Sequence, residues 1–338
     1  MGIQKSSMNF GIMAPGPKNL ISDVPGVKVG HVTLADGPIQ TGVTAIIPGS
    51  GSAFRDKFPA AVHVINGFGK SIGLMQIQEL GTLETPILLT NTFSVGACFE
   101  GLLTYMLDSH PEIGTTTGTV NPVVTECNDS YLNDIRSRHV RPQDALQALQ
   151  NAASTFEEGS VGAGRGMRCY GYKGGIGSAS RTMMIDDTSY TVGALLLTNF
   201  GAKGDLIIQG KHISEELEGE ADKGSCIIVL ATDVPLSCQQ LSRCARRAQN
   251  GLARTGSFTG NGSGEVVIMF STANRIPHSS HSGICSGHYL HETGMDVLFR
   301  AVTECVEEGV ISSLFHATTV TGIDGHTARA LRSGLSER

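Results

Sequence analysis

Six short, nearly unbroken apolar runs alternate with helix-like stretches along the chain, and this alternation limits the fold more than any other feature. The runs cover residues 43–48, 61–65, 87–90, 190–197, 226–231 and 265–271. A strand with one wet face alternates apolar and polar residues, whereas a strand covered on both faces reads as a continuous apolar run. Helix-like stretches fall at 72–79, 97–107, 142–155, 236–253 and 296–315. In the last of these, apolar residues recur at 298, 302, 306, 310 and 314, one side of a helix. Pro142-Gln143-Asp144 reads as a helix start with proline in the first turn. Interleaved strands and helices predict a layered α/β architecture. With no repeat of fixed period and no Pro/Ser-rich or charged linker, the 338 residues read as a single domain.

Composition narrows the function classes. A net charge of −6 argues against a nucleic-acid partner. No apolar stretch reaches the ~18 residues of a membrane span, so no membrane partner is expected. The first residues carry Lys5 but no apolar core, unlike a signal peptide, and the chain reads as cytoplasmic. The eight cysteines include no CxxC pair, which favours free, mostly buried thiols over disulfides or a zinc site. Glycine, at 43 residues, is nearly twice its usual share of about 7%, which calls for many tight turns and close backbone packing.

Against this background Asn261-Gly262-Ser263-Gly264 stands out, lying just before the apolar run at 265–271. The plain reading is a hairpin-type turn. The chemical reading is a bond that cuts itself. Glycine lets its carbonyl bend toward the following hydroxyl. An N→O acyl shift between Gly262 and Ser263, followed by hydrolysis, then leaves Ser263 as a new N-terminus. Its hydroxyl is the nucleophile and its own α-amine the base. Such an amine has a pKa of about 7.7–8, well matched to neutral pH.

Other polar clusters carry two readings each. The glycine-dense stretch 159–181 lacks the spacing of a phosphate loop, so close packing or a loop lining a site is favoured over nucleotide binding. His278, His281, His288 and His291 lie in a loop-like segment without the HExxH carboxylate, and read as a solvated loop, with no metal site. Glu126-Cys127-Asn128-Asp129 follows an apolar run and is either a pocket for an ammonium or an Asx-rich turn. Asn199, before Phe200-Gly201, is either an oxyanion donor or an ordinary loop residue.

Taken together, Ile21-Ser-Asp-Val-Pro-Gly-Val-Lys-Val-Gly-His31, Thr41-Gly-Val-Thr-Ala, Ile65-Asn-Gly-Phe-Gly-Lys70, the segment 79–91, the stretch 159–181, Ala253-Arg-Thr-Gly-Ser257, Asn261-Gly-Ser-Gly264 and Thr319-Val-Thr-Gly-Ile-Asp-Gly-His326 resemble the DmpA/BapA family of self-processing serine aminopeptidases. This is the β-aminopeptidase and D-aminopeptidase/esterase group. The resemblance spans about residues 20–330. It implies an αββα sandwich like that of N-terminal-nucleophile hydrolases with different connectivity. It implies a cut into a large chain, 1–262, and a small chain, 263–338, and assembly of several such units as a homo-oligomer. The implied substrates are small peptides, amides or esters with a free amine, and no cofactor is required. Carried over by motif, Ser263 is the nucleophile, Gly262 precedes the cut, Asn199 faces the oxyanion and Glu126 binds the substrate amine.

The family's further carboxylate is sought in Glu304-Cys-Val-Glu-Glu308. A strand over 264–273 runs about 33 Å away from Ser263, and a helix of some 19 residues returns about 28 Å. Glu307 is the expected residue, with Glu308 and Thr318 in reserve. Relatives with threonine at the cut include nylon-oligomer hydrolases and ornithine acetyltransferases, so an acyltransferase or such an amidase is the alternative. A non-catalytic α/β binding protein with an intact turn is the third reading. The acidic segment with Glu215, Glu216, Glu218 and Glu220 is either part of a specificity pocket or a surface loop.

Overall fold

The computed structural model describes residues 8–213, 224–280 and 282–331; His281 and the acidic residues Glu215, Glu216, Glu218 and Glu220 lie outside the described residues. In chain order the longer elements are β1 (Lys28–Asp36), β2 (Ile39–Ile47), β3 (Asp56–Gly67), α1 (Leu74–Leu80), β4 (Ile87–Asn91), α2 (Val95–Ser109), β5 (Val123–Cys127), α3 (Pro142–Gln150), β6 (Gly175–Ile185), β7 (Thr188–Asn199), β8 (Ser225–Thr232), α4 (Cys238–Ala245), α5 (Ala248–Arg254), β9 (Gly264–Ser271) and α6 (Met295–His316).

Two sheets result. The first has the order β1-β2-β4-β5, and the second runs β3-β9-β8-β7-β6, extended beyond β3 by the short strand Ile276–Pro277. The pairs β4/β5 and β8/β9 are parallel and the remaining neighbours antiparallel.

The period-2 alternation of side chains sorts these strands into layers. On β7, Leu195 and Leu197 face a core shared with Val29, Ile46, Leu89 and Val123 of the first sheet. Ala194 and Leu196 face the opposite way, among Leu241, Leu252, Val302 and Val306 of α4, α5 and α6. On β4, Leu88 joins Cys98, Leu102, Ala145 and Leu149 of α2 and α3. Three apolar layers between four structural layers make an αββα sandwich, as the family resemblance implies. The apolar runs are its strands, buried on both faces except for 61–65 in β3, where Val62 and Ile65 are half-buried and Val64 is exposed.

The glycine-dense stretch is partly strand. β6 escapes hydropathy because its early positions are Gly175, Gly177, Ser178 and Ser180. The reason is contact with α6: a Cβ on Gly177 would sit 1.9 Å from the Gly309 carbonyl. The predicted helix at 236–253 is interrupted at Arg246-Arg247 and becomes α4 and α5. The cysteines of the described residues are free thiols, most of them buried. No helix among the described residues is long and apolar enough to cross a membrane.

One ionic cluster lies inside the helix-side layer. Arg181 on β6 is 2% exposed. Its Nε meets Glu304 at 3.1 Å and its Nη1 meets Glu308 at 2.8 Å. Nη2 donates to the Phe10 carbonyl at 2.8 Å, and Glu304 accepts from the backbone N–H groups of Ile12 and Met13. Two acids of the 304–308 segment thus pin the N-terminal arm onto α6 and β6. Removing the cation strands two buried carboxylates, which costs about 3–5 kcal/mol in comparable cases. Arg181→Met, made in an uncut Ser263→Ala chain, is expected to lose that much stability in urea unfolding. An unchanged midpoint would show that the cluster is not holding the arm.

Candidate active site

The strand ends converge on Ser263. Across the second sheet, Gly67 of β3 pairs with Gly264 of β9, Gly264 with Ser225 of β8, and Ser225 with Asn199 of β7. Ser263 immediately precedes this row and is fully buried. Gly264 is dictated by packing, since a Cβ there would lie 2.3 Å from the Phe68 carbonyl. The backbone therefore turns tightly into β9, and the Gly264 N–H donates to the Gly224 carbonyl at 3.1 Å.

The turn before the strand is clamped by Asn66. Its Nδ2 donates to the carbonyl of Ser263 and lies 3.2 and 3.3 Å from those of Gly260 and Asn261. The Ser263 N–H itself donates to the Gly260 carbonyl at 2.9 Å. The left-handed residue in this approach is Thr259, at φ 58°. Asn261 is exposed and Gly262 half-buried, so the bond between Gly262 and Ser263 crosses from surface to interior.

The Ser263 hydroxyl donates to Oε1 of Glu265, a close hydrogen bond between two fully buried side chains. Residues i and i+2 of a strand share a face. The β3/β9 register shifts between Glu265 and Val266, a β-bulge at the point where the polar mouth gives way to the apolar strand. The sequence pattern does not mark Asn66 or Glu265: Asn66 lies inside the Ile65–Lys70 motif, and Glu265 begins an apolar run. The i, i+2 spacing from Ser263 was the available signal.

Asn199 stands at the end of β7, two strands from Gly264, a lateral separation of about 10 Å. Its Oδ1 accepts from the Arg168 N–H at 2.9 Å, and its Nδ2 donates to the Asn128 carbonyl at 3.0 Å. The amide is fixed at both ends and bridges the two sheets. Glu126, near the end of β5, is 3% exposed. Its Oε1 accepts from the Lys70 N–H at 2.9 Å, and its Oε2 accepts from the Thr92 hydroxyl. The segment 66–70 thus holds Ser263 at one end and Glu126 at the other, no more than about 14 Å of chain apart.

Glu307 is not brought to the Ser263 hydroxyl. Its carboxylate pairs with Arg254 of α5 at 3.0 Å. It lies seven residues from exposed Arg300, on the outer stripe of α6, while the flanking residues are buried. The length argument holds for the end of the helix rather than its middle: Ser313 meets Thr198 at 2.7 Å, next to Asn199. Of the reserves, Glu308 is engaged by Arg181, and Thr318 exchanges backbone hydrogen bonds with the Ser160 hydroxyl. The His278 ring lies tilted against Phe54, centroids 4.5 Å apart, while His288 and His291 are exposed. Among the described residues no group of three His, Cys, Asp or Glu could hold a metal.

Residues 19–328 match peptidase family S58. The chain belongs to that family. It is a hydrolase, and its fold is that of the family's solved members. It is 37% identical to the β-peptidyl aminopeptidase BapA of Sphingosinicella microcystinivorans, over 94% of this chain and 86% of that one. A Burkholderia β-aminopeptidase structure superposes with a TM-score of 0.92 at 37% identity, covering 100% of this chain and 98% of the other. The L-aminopeptidase D-Ala-esterase/amidase of Ochrobactrum anthropi gives 0.89 at 34%, covering 95% and 93%. It is described as a prototype for the serine aminopeptidases and a new variant among the Ntn-hydrolase folds. The layered sandwich and the serine-peptidase class expected from the sequence both hold.

Beside Asn128 lies Asp129, 1% exposed and accepting from Asn133 Nδ2 at 3.1 Å. Burial pushes its carboxyl up to about 7, against the hydrogen bonds that favour its ionised form. The folded state therefore keeps a proton that the unfolded chain, at about 3.9, releases. The resulting stabilisation is complete below pH ~4 and is lost as pH rises through ~7. Comparing Ser263→Ala with Ser263→Ala/Asp129→Asn in thermal melts, the variant is expected to gain on its parent steadily between these pH values. A constant difference would mean that Asp129 stays ionised in the fold.

Proposed function

We propose that the protein is a self-processing serine aminopeptidase, cut between Gly262 and Ser263 into chains 1–262 and 263–338. The observation that carries this reading is the buried Ser263 hydroxyl at the mouth of the central strand β9, in a peptidase-family sandwich whose preceding turn is pinned by Asn66. The names of the relatives, β-peptidyl aminopeptidases and a serine aminopeptidase, support the substrate class.

In the cut enzyme the Ser263 hydroxyl attacks the first carbonyl of a substrate whose free amine is bound by Glu126. The new α-amine of Ser263 accepts the hydroxyl proton and returns it to the leaving nitrogen, as a base of pKa about 7.7–8 can. Asn199 has a second Nδ2 hydrogen to offer the oxyanion while its first is spent on Asn128. Water clears the acyl-enzyme. Glu126 already accepts two hydrogen bonds that fix its orientation, and a carboxylate has lone pairs left for an ammonium. Glu307 enters this scheme only if it leaves Arg254. Assembly of several such units belongs to the same reading, supported by Met75 and Leu80 on α1, which are 85% and 65% exposed.

Free-amine and N-acetylated p-nitroanilides of β- and α-amino acids test the reading. The free amines should turn over and the acetylated ones should not. Glu126→Gln should lower kcat/KM by about 30-fold or more, the ~2 kcal/mol typical of losing one partner of a buried charge pair, while the chain still splits. Equal turnover of acetylated and free substrates would remove Glu126 from substrate binding.

A further inference from the structure

Self-cleavage at Ser263 faces a difficulty that substrate turnover does not. In the cut enzyme the serine's own α-amine takes its proton. In the uncut chain that nitrogen is an amide, with no basic lone pair, and its N–H is already given to the Gly260 carbonyl. The hydroxyl must lose its proton to another group before it can attack. The hydrogen bond it donates identifies one: Oε1 of Glu265.

We infer that Glu265 is the proton acceptor for the self-cleavage step, a role resting on the processing reading above. Three observations carry it. Ser263 and Glu265 are both fully buried, so bulk water does not compete for the proton. Ser263, the residue before β9, and Glu265, the second residue of β9, meet side by side, and the bulge after Glu265 separates this polar pair from the apolar strand. The neighbouring turn is held by Asn66 on the carbonyls of Gly260, Asn261 and Ser263, and the Gly262 carbonyl is not among its acceptors. The hydroxyl is thus fixed at a base while the carbonyl it must reach lies outside the clamp. Glu307, by contrast, faces Arg254.

The step balances without any further reactant than water. The Ser263 Oγ–H proton passes to the Glu265 carboxylate as Oγ bonds to the Gly262 carbonyl carbon. The C–N bond then breaks, and Glu265 returns the proton to the departing nitrogen, leaving an ester between Gly262 and Ser263. Water hydrolyses that ester to the Gly262 carboxylate and the Ser263 hydroxyl, and the Ser263 amine freed by the C–N cleavage becomes the new N-terminus. After the cut the amine replaces Glu265 as base, so Glu265 matters for making the enzyme far more than for running it.

A time course of freshly translated protein on denaturing gels tests this, with wild type, Glu265→Gln, Glu265→Asp and Ser263→Ala made in parallel. A wild type that never splits would refute the processing reading itself. If wild type splits, Glu265→Gln should split at least about 100-fold more slowly, the lower range for a lost general base. Glu265→Asp should fall between the two. Uncut Glu265→Gln should show the circular-dichroism spectrum and melting temperature of uncut Ser263→Ala, which separates a lost base from misfolding. Glu265→Gln splitting at the wild-type rate overturns the inference. Should Glu265→Gln fail to fold, Glu265→Asp decides alone: a folded Asp variant that splits measurably more slowly than wild type upholds the inference, and one that splits at the wild-type rate overturns it.

Discussion

A buried serine hydroxyl beside a buried carboxylate at the head of an otherwise apolar strand is the constraint around which the structure is arranged. Polar groups withdrawn from water cost several kcal/mol unless they find partners. Here the partners are supplied by each other and by the backbone of the turn before them. Ser263 meets Glu265, and Asn66 meets the carbonyls of the loop. For these groups to close on one another the chains must approach unusually near, and this is why Gly264 can bear no side chain against Phe68. The glycine content of the protein is largely a record of such approaches, of strand to loop here and of β6 to α6 at Gly177.

The same arrangement links the two sheets at one end. Asn199 on the second sheet holds the carbonyl of Asn128, just past the end of β5 on the first, and the chain from Asn66 to Lys70 runs from Ser263 to Glu126. The elements that build the site are strand ends backed by three packed layers, not mobile excursions, so small errors in loop position are not passed on to Ser263. Such support is what a catalytic group needs to be held within fractions of an ångström. The ionic cluster of Arg181, Glu304 and Glu308 serves the helix-side layer and leaves the reaction centre to other carboxylates.

Much of the sandwich was legible because strands buried on both faces must be apolar throughout, and the runs at 190–197, 226–231 and 265–271 satisfy this. β6 was not, because Gly175, Gly177, Ser178 and Ser180 achieve burial by backbone contact with α6, a cause that hydropathy does not register. The break between α4 and α5 was likewise invisible in a continuous helix-like pattern. At the site, Ser263, Asn199 and Glu126 were read from a combination of strand ends and family motifs. Glu307 follows from the family's further carboxylate and a length argument, and helix periodicity turns it outward to Arg254; Glu265, two residues from Ser263, is masked by the apolar run it begins.

The central claim is that one hydroxyl both cuts the chain and performs the catalysis, and intact-mass analysis of purified wild-type protein with N-terminal sequencing tests it most directly. The expected result is two species, residues 1–262 and 263–338, with the smaller beginning at Ser263, and a single inactive 338-residue chain for Ser263→Ala. A wild-type preparation that hydrolyses aminoacyl anilides while remaining one uncut chain, or a Ser263→Ala protein that still splits at this bond, would contradict it.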